Sequence, residues 1–257
     1  MRRGRGFTLI ELLVVIAVIA LLLAISIPAM QKVRKQAKAV VCQTHLKQWG
    51  LVWSMYTGQN NARFPEYMAK AWMGNWMGLV EGFYSKDRKI LFCPMTTRTV
   101  AEGAPVKYSI TVDSWSELKC SYALNDWVNA YPAGDARVGP ALNFWDTPDV
   151  SNASNVPVMG DCAWRIRARP EPNDLPPSCD GDSPGGSPAN AIRTYSIDRH
   201  NGGINVLFMD WSVGRVGLKG LWTSKWHRRY DTAGRWTRAG GVRPDDWPEW
   251  MRKFKDE

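Results

Sequence analysis

From Phe7 to Ile27 the chain is almost continuously apolar. Fifteen of these positions are Phe, Leu, Ile or Val, and only Thr8, Glu11 and Ser26 are strongly polar. A run of about 20 such residues matches a hydrocarbon core about 30 Å thick, which predicts a transmembrane helix over 7–28. At roughly −0.3 to −0.6 kcal/mol per apolar residue the run contributes about −6 kcal/mol to insertion, against about 3 kcal/mol for a mid-bilayer acid. Glu11 lies near one end of the run, where that cost falls, so insertion is favoured.

The helical pattern continues past Pro28. Val33, Ala37, Val40, Val41, Trp49, Val52, Trp53 and Tyr56 recur at helical steps, while Lys32, Lys35, Gln36, Gln43 and Lys47 take much of the other face. Gly58 and the polar residues after it supply a stop. A continuous helix from Phe7 to Thr57 would be about 75 Å long, more than twice what a membrane needs. Its outer half, 29–58, is therefore expected to pack on a body formed by residues 59–257.

Within that body the pattern turns to short strands. Val106–Val112, Cys120–Leu124, Val156–Met159, Ile204–Asp210 and Val213–Val216 are rich in β-branched and aromatic residues. Trp72 to Gly78 reads as a short helix or an irregular loop, 168–190 as a proline-rich surface loop, and the tail from Gly220 has no clear period. The expected fold class is α+β: a long N-terminal helix on a small antiparallel β-sheet body with long loops.

The formal charge of +9 changes little once located. Eight basic residues against Glu11 lie in the first fifty positions, leaving 25 basic and 23 acidic residues elsewhere, a net of +2. A nearly neutral body has no electrostatic footprint for nucleic acid, and no nucleic-acid partner is expected. Five cysteines carry no C-x-x-C pair, and no His-x-x-x-His pair occurs, so spacing points to no zinc site. Candidate disulfides are Cys162 with Cys179, closing about 17 residues for roughly 3 kcal/mol, and Cys42 with Cys93. Cys120 is then left over, and reduced buried cysteines are the alternative.

The N-terminal residues explain the misplaced carboxylate. Gly6-Phe7-Thr8-Leu9-Ile10-Glu11 follows a six-residue leader containing Arg2, Arg3 and Arg5. This resembles a prepilin-type signal, and the chain resembles a type IV pilin or type II secretion pseudopilin. The resemblance implies cleavage between Gly6 and Phe7 by prepilin peptidase and N-methylation of Phe7. It also implies that Glu11 neutralises the amine of a neighbouring subunit, and that Pro28 kinks the helix. A buried carboxylate survives in lipid when an opposite charge meets it. A secretory signal cleaved after Ala24 or Ser26, or a plain anchor, leaves Gly6, Phe7 and Glu11 without roles. Lys32, Arg34, Lys35 and Lys38 balance the leader arginines, so charge counting does not set the orientation. The resemblance implies that the body lies on the exoplasmic side of a bacterial cytoplasmic membrane.

A second resemblance lies in the body. His200 is followed at the tenth position by Asp210, similar to the H-x9-D-G region that accompanies such signals in bacterial pilin-like proteins. Cys42-Gln43-Thr44-His45-Leu46, Phe64-Pro65, Cys93-Pro94, Ser121-Tyr122 with Asn125, and Gly160-Asp161 agree with it. Trp211 departs from it, standing where the glycine belongs, and strains any turn that needs a positive φ. An extended strand would hold His200 and Asp210 roughly 20 Å apart, so each is expected to secure a turn. Asp180 and Asp182 have the alternate-acid spacing of calcium loops and are a weak calcium candidate.

The expectation is a structural subunit, with no enzymatic activity and no cofactor. Its partners would be prepilin peptidase, other pilin or pseudopilin subunits, an inner-membrane assembly platform and membrane lipid. The rival is a membrane-anchored exoplasmic binding protein for glycan or protein, using exposed rings among the fourteen tryptophans.

Overall fold

Helix α1 spans Leu9–Gln59 with Pro28 inside it. The computed structural model describes residues 8–66, 76–84, 88–112, 118–131, 140–185 and 189–256. The chain divides into an N-terminal unit, Met1–Lys38, and a body, Ala39–Glu257. In the first unit the apolar side chains of α1 are uncovered: Leu9, Leu21 and Ile25 are each more than 60% exposed. Among the described residues α1 is the one helix long and apolar enough to cross a membrane, with a mean hydropathy of 3.1 over its best window.

The last turns of α1 form part of the body's core. Cys42, Leu46, Trp49 and Trp53 are buried at steps of four, three and four, one face of a helix. Val33 and Val40, expected on that face, are more than half exposed, as is Leu51. At 100° per residue Val40 and Leu51 align on the face opposite Trp49, so within the body the expected single stripe is two stripes. Gln43, expected to be solvated, donates from Nε2 to Asn205 Oδ1 (3.1 Å).

The body's main sheet contains β4 (Tyr122–Asn125), β5 (Pro157–Asp161), β6 (Arg167–Ala168), β7 (Gly203–Phe208) and β8 (Val213–Gly217), in the order β6-β4-β5-β7-β8. Neighbours are antiparallel except β6, which runs parallel to β4, so the sheet is mixed rather than antiparallel throughout. A smaller sheet joins β1 (Arg98–Thr99), β2 (Ser109–Val112) and β3 (Lys119–Cys120). Residues 106–108, expected as strand, form a 3-10 turn behind Pro105. Two short helices, α2 (Trp76–Leu79) and α3 (Glu249–Arg252), complete the regular structure among the described residues. Trp72 lies outside the described residues.

Helix α1 meets the sheet through small and aromatic residues. A Cβ on Gly50 would stand 3.0 Å from Leu207 Cδ1 of β7, so the glycine sets how closely helix and strand approach. Trp49 donates from Nε1 to the Ile90 carbonyl (2.8 Å) and meets Trp76 edge-on at 5.0 Å. The tail without sequence period is held the same way. Trp222 and Trp236 both pack on Trp247, with ring centres 5.4 and 5.5 Å away. Trp222 and Trp226 donate to the carbonyls of Asp174 and Leu221. Trp127 and Trp145 are buried too, whereas Trp164 is 38% exposed. Nine of the twelve tryptophans among the described residues build core.

The β7–β8 turn shows how Trp211 is accommodated. Its φ is +63°, a left-handed conformation that costs an L-residue about 1–2 kcal/mol. In return its ring packs on Phe64 and its carbonyl accepts the Lys47 ammonium of α1 (2.8 Å). Asp210 Oδ1 accepts the backbone N–H and hydroxyl of Ser212, closing the turn. We predict that Trp211→Gly unfolds at lower denaturant than the parent but is about 1 kcal/mol more stable than Trp211→Ala. The alanine loses the ring and keeps the strain; equal stabilities in chemical denaturation would show that the φ carries no cost.

Candidate functional site

Two places combine unusual chemistry with defined geometry. The first is the start of α1. Thr8 precedes the first helical residue, and its backbone N–H and hydroxyl both donate to Glu11 Oε2 (2.8 and 2.7 Å). The Glu11 N–H lies 3.3 Å from Thr8 Oγ1, completing a reciprocal capping box. Glu11 thus occupies the third position of its own helix, where an acid also meets the positive end of the helix dipole. Gly6 and Phe7 lie outside the described residues.

The second is a buried cluster at the junction of α1, β5 and β7. Cys42 comes from α1, Cys93 from the loop before Pro94, Asp161 from the end of β5 and His200 from the turn entering β7. Their sulfur, oxygen and nitrogen atoms all lie within 4.8 Å of one another, and all four residues are buried. Cys42 Sγ is 3.6 Å from both Asp161 oxygens, Cys93 Sγ is 3.4 Å from His200 Nε2, and His200 Nε2 is 3.1 Å from Asp161 Oδ2.

Each member is held from behind. His45 Nδ1 lies 3.0 Å from the Phe92 carbonyl, and the Cys93 N–H donates to Ser121 Oγ, fixing the loop that carries Cys93. Asp161 Oδ2 accepts the Asn205 N–H (2.9 Å), and the Tyr122 hydroxyl donates to Cys42 Sγ (3.4 Å). Arg199, whose side chain is fully buried, donates to Asp161 Oδ1 (3.3 Å). It also donates to the carbonyls of Lys107, Ser109, Ser121 and Cys162. Consecutive residues, Arg199 and His200, therefore clamp the two oxygens of one carboxylate.

The electrostatics follow from burial opposed by neighbours. Burial pushes the Asp161 carboxyl up, but the His200 charge and hydrogen bond, Arg199 and the Asn205 amide bring it down to about 2. Burial pushes His200 down, and Asp161 outweighs it, raising the imidazole to about 9. Burial raises both thiols; the Cys93 hydrogen bond and His200 bring Cys42 down to about 7, whereas Cys93 stays well above the usual thiol range.

Several expectations change here. The His200 side chain does not secure the turn; it points inward to Asp161, 39 positions earlier in sequence, and only its backbone N–H bonds within the turn, to the Gly203 carbonyl. Neither Cys42 with Cys93 nor Cys162 with Cys179 is joined, so the expected disulfides are not formed. Cys42 and Cys93 are adjacent but shared with Asp161 and His200, while Cys162 is buried and Cys179 exposed. The calcium candidates are spent on cations: Asp180 pairs with Lys107 (2.8 Å) and Asp182 with Arg193 (3.1 Å). Asp180 also accepts the Asp198 N–H, and Asp182 the Ser178 N–H. The spacing argument missed the buried cluster because its members are 51, 68 and 39 positions apart in sequence.

Comparison with known proteins bears on the first site. Residues 1–27 match the prokaryotic N-terminal methylation motif. The chain is 45% identical over 62 residues to the type IV wide pilus major component PilA4 of Thermus thermophilus, covering 24% of this chain and 47% of that protein. It is 42% identical over 59 residues to the type IV major pilin protein PilA of Myxococcus xanthus, covering 23% of this chain and 24% of that protein. The matches thus span less than half the length of these relatives. No solved structure matches the chain. The N-terminal region is pilin-like: a methylation motif on a helix of membrane-spanning length and composition.

Arg199 offers a direct test of the buried junction. Arg199→Met should lower unfolding stability by about 3–5 kcal/mol, because it removes the positive charge beside the buried Asp161 and one donor from each of four carbonyls. Arg199→Lys keeps the charge but cannot fork, and should still cost about 1–3 kcal/mol. Thermal or denaturant unfolding of the detergent-solubilised chain reads both; a lysine variant as stable as the parent would reduce Arg199 to a simple counter-charge.

Proposed function

We propose that this chain is a structural filament subunit, held in a bacterial cytoplasmic membrane by α1, cut between Gly6 and Phe7 and methylated at Phe7. It is then assembled through α1 into a type IV pilus or a type II secretion pseudopilus. The observation that carries this reading is the methylation motif over 1–27 on a helix whose apolar residues are uncovered from Leu9 to Met30. Such a surface needs lipid or other apolar helices around it. Within the body, Val40 and Leu51 of α1 are exposed too, on the face turned away from its core.

In this reading the leader is removed by prepilin peptidase and the body stays exoplasmic. The assembly platform draws the subunit out of lipid, and the Phe7 amine of one subunit meets Glu11 of its neighbour. Pro28 supplies the local weakness in the helix, since it cannot donate to the carbonyl four residues earlier. The rival reading, an anchored binding protein with an aromatic platform, draws less support because Trp49, Trp53, Trp127, Trp222, Trp226 and Trp247 are all buried.

Mass spectrometry of the native membrane fraction should find an N-terminal peptide beginning at methylated Phe7. Glu11→Gln and Glu11→Ala should insert in the membrane normally and enter filaments at least about tenfold less often, the factor for roughly 1.4 kcal/mol. Unprocessed Met1 in the membrane pool, or normal incorporation of both variants, would sink the proposal.

A further inference from the structure

We propose that Cys42, Cys93, Asp161 and His200 form a structural zinc site that clasps α1 to the β-sheet. The inference is independent of the filament reading and rests on the geometry of the cluster.

A tetrahedral zinc ion takes sulfur at about 2.3 Å and nitrogen or oxygen at about 2.0–2.2 Å. Ligand atoms around such an ion are therefore separated by about 3.6 Å for sulfur to nitrogen or oxygen, and about 3.4 Å for nitrogen to oxygen. The observed separations are 3.6 Å for Cys42 Sγ to Asp161, 3.4 Å for Cys93 Sγ to His200 Nε2, and 3.1 Å for His200 Nε2 to Asp161 Oδ2. Each lies within about 0.3 Å of a tetrahedral edge, and the other donor pairs lie within 4.8 Å of one another. Two sulfurs, one imidazole and one carboxylate suit zinc better than calcium or magnesium, which require oxygen.

Charge closes as well. Two thiolates and a carboxylate carry −3, which zinc and the buried Arg199 guanidinium together cancel. A fully buried arginine with one carboxylate partner is costly on its own; beside a metal site of net −1 it becomes the neutralising group. The outer contacts have the form expected around a metal. Arg199 and the Asn205 N–H orient Asp161, and the Tyr122 hydroxyl supports Cys42 Sγ.

The four donors fill a tetrahedron and are buried, so the site is closed and structural, with no position for substrate. Neither the cleft lined by Asp198, Arg215 and Lys253 nor that lined by Trp145, Asp149 and Arg228 includes any of the four. The ion would join segments separated by 51, 68 and 39 residues, tying the helix to β5 and to the entry of β7.

The test is elemental analysis of the full-length chain, purified in detergent from zinc-supplied cells without chelator. One zinc per chain is expected, falling at least about tenfold in Cys93→Ser and in His200→Asn and unchanged in Cys179→Ser. Cobalt(II) exchanged into the parent should give tetrahedral ligand-field bands with thiolate charge transfer, a readout that survives if the variants misfold. Chelation should lower the unfolding midpoint of the parent. Metal-free folded protein with a silent cobalt spectrum would overturn the proposal. So would zinc that persists in both ligand variants, or a Cys42–Cys93 disulfide in the native peptide map.

Discussion

The Asp161 carboxylate is the constraint on which the body depends. It lies at the end of β5, fully buried, and an ionised oxygen pair in that position is unfavourable unless every lone pair is met. Arg199, His200, the Asn205 amide and the Cys42 thiol meet it from β7's approach and from α1. Four of the body's segments thereby acquire a common reference point. The same Arg199 satisfies carbonyls of the smaller sheet and its approach, at Lys107 and Ser109, so the two sheets are registered by one side chain.

Around that polar centre the stabilisation is ordinary burial. Trp49, Trp53 and Leu46 cover one side of the helix–sheet contact, and Gly50 lets β7 approach. The aromatic residues of the tail take the part that longer strands or helices play elsewhere. Rings with one donor each can seal irregular backbone, because the indole N–H meets a carbonyl that no ladder satisfies. This accounts for a tail that has almost no regular structure and is nonetheless well buried at Trp222 and Trp226.

The parts of the fold legible in the sequence were those set by local pattern. The apolar run and its helical continuation announced α1, and runs of β-branched residues announced β2, β5, β7 and β8. Two-residue strands such as β1 and β6 have no pattern to read, and the split of α1 into two stripes was hidden by an eight-residue step between Val41 and Trp49. The buried cluster was half legible. Cys42, Cys93, Asp161 and His200 each stood in a short motif that resembled the same family, yet no spacing rule joins ligands that only tertiary contacts bring together. His200 was misplaced for that reason: its distance from Asp210 along a strand is irrelevant when its partner is on β5.

The capping box at Thr8 and Glu11 carries a consequence for how a lipid-resident copy behaves. With its carboxylate occupied by Thr8 two ways, a lone chain presents no orphan acid to the bilayer. Under the proposed assembly, recruitment of Glu11 by a neighbouring amine would be an exchange of one satisfied state for another, so its free energy would be a difference and not the full worth of an ion pair. Such an exchange can run in either direction. In that scheme waiting copies would be held back from sticking to one another until something else, such as close approach of whole helices, tipped the balance.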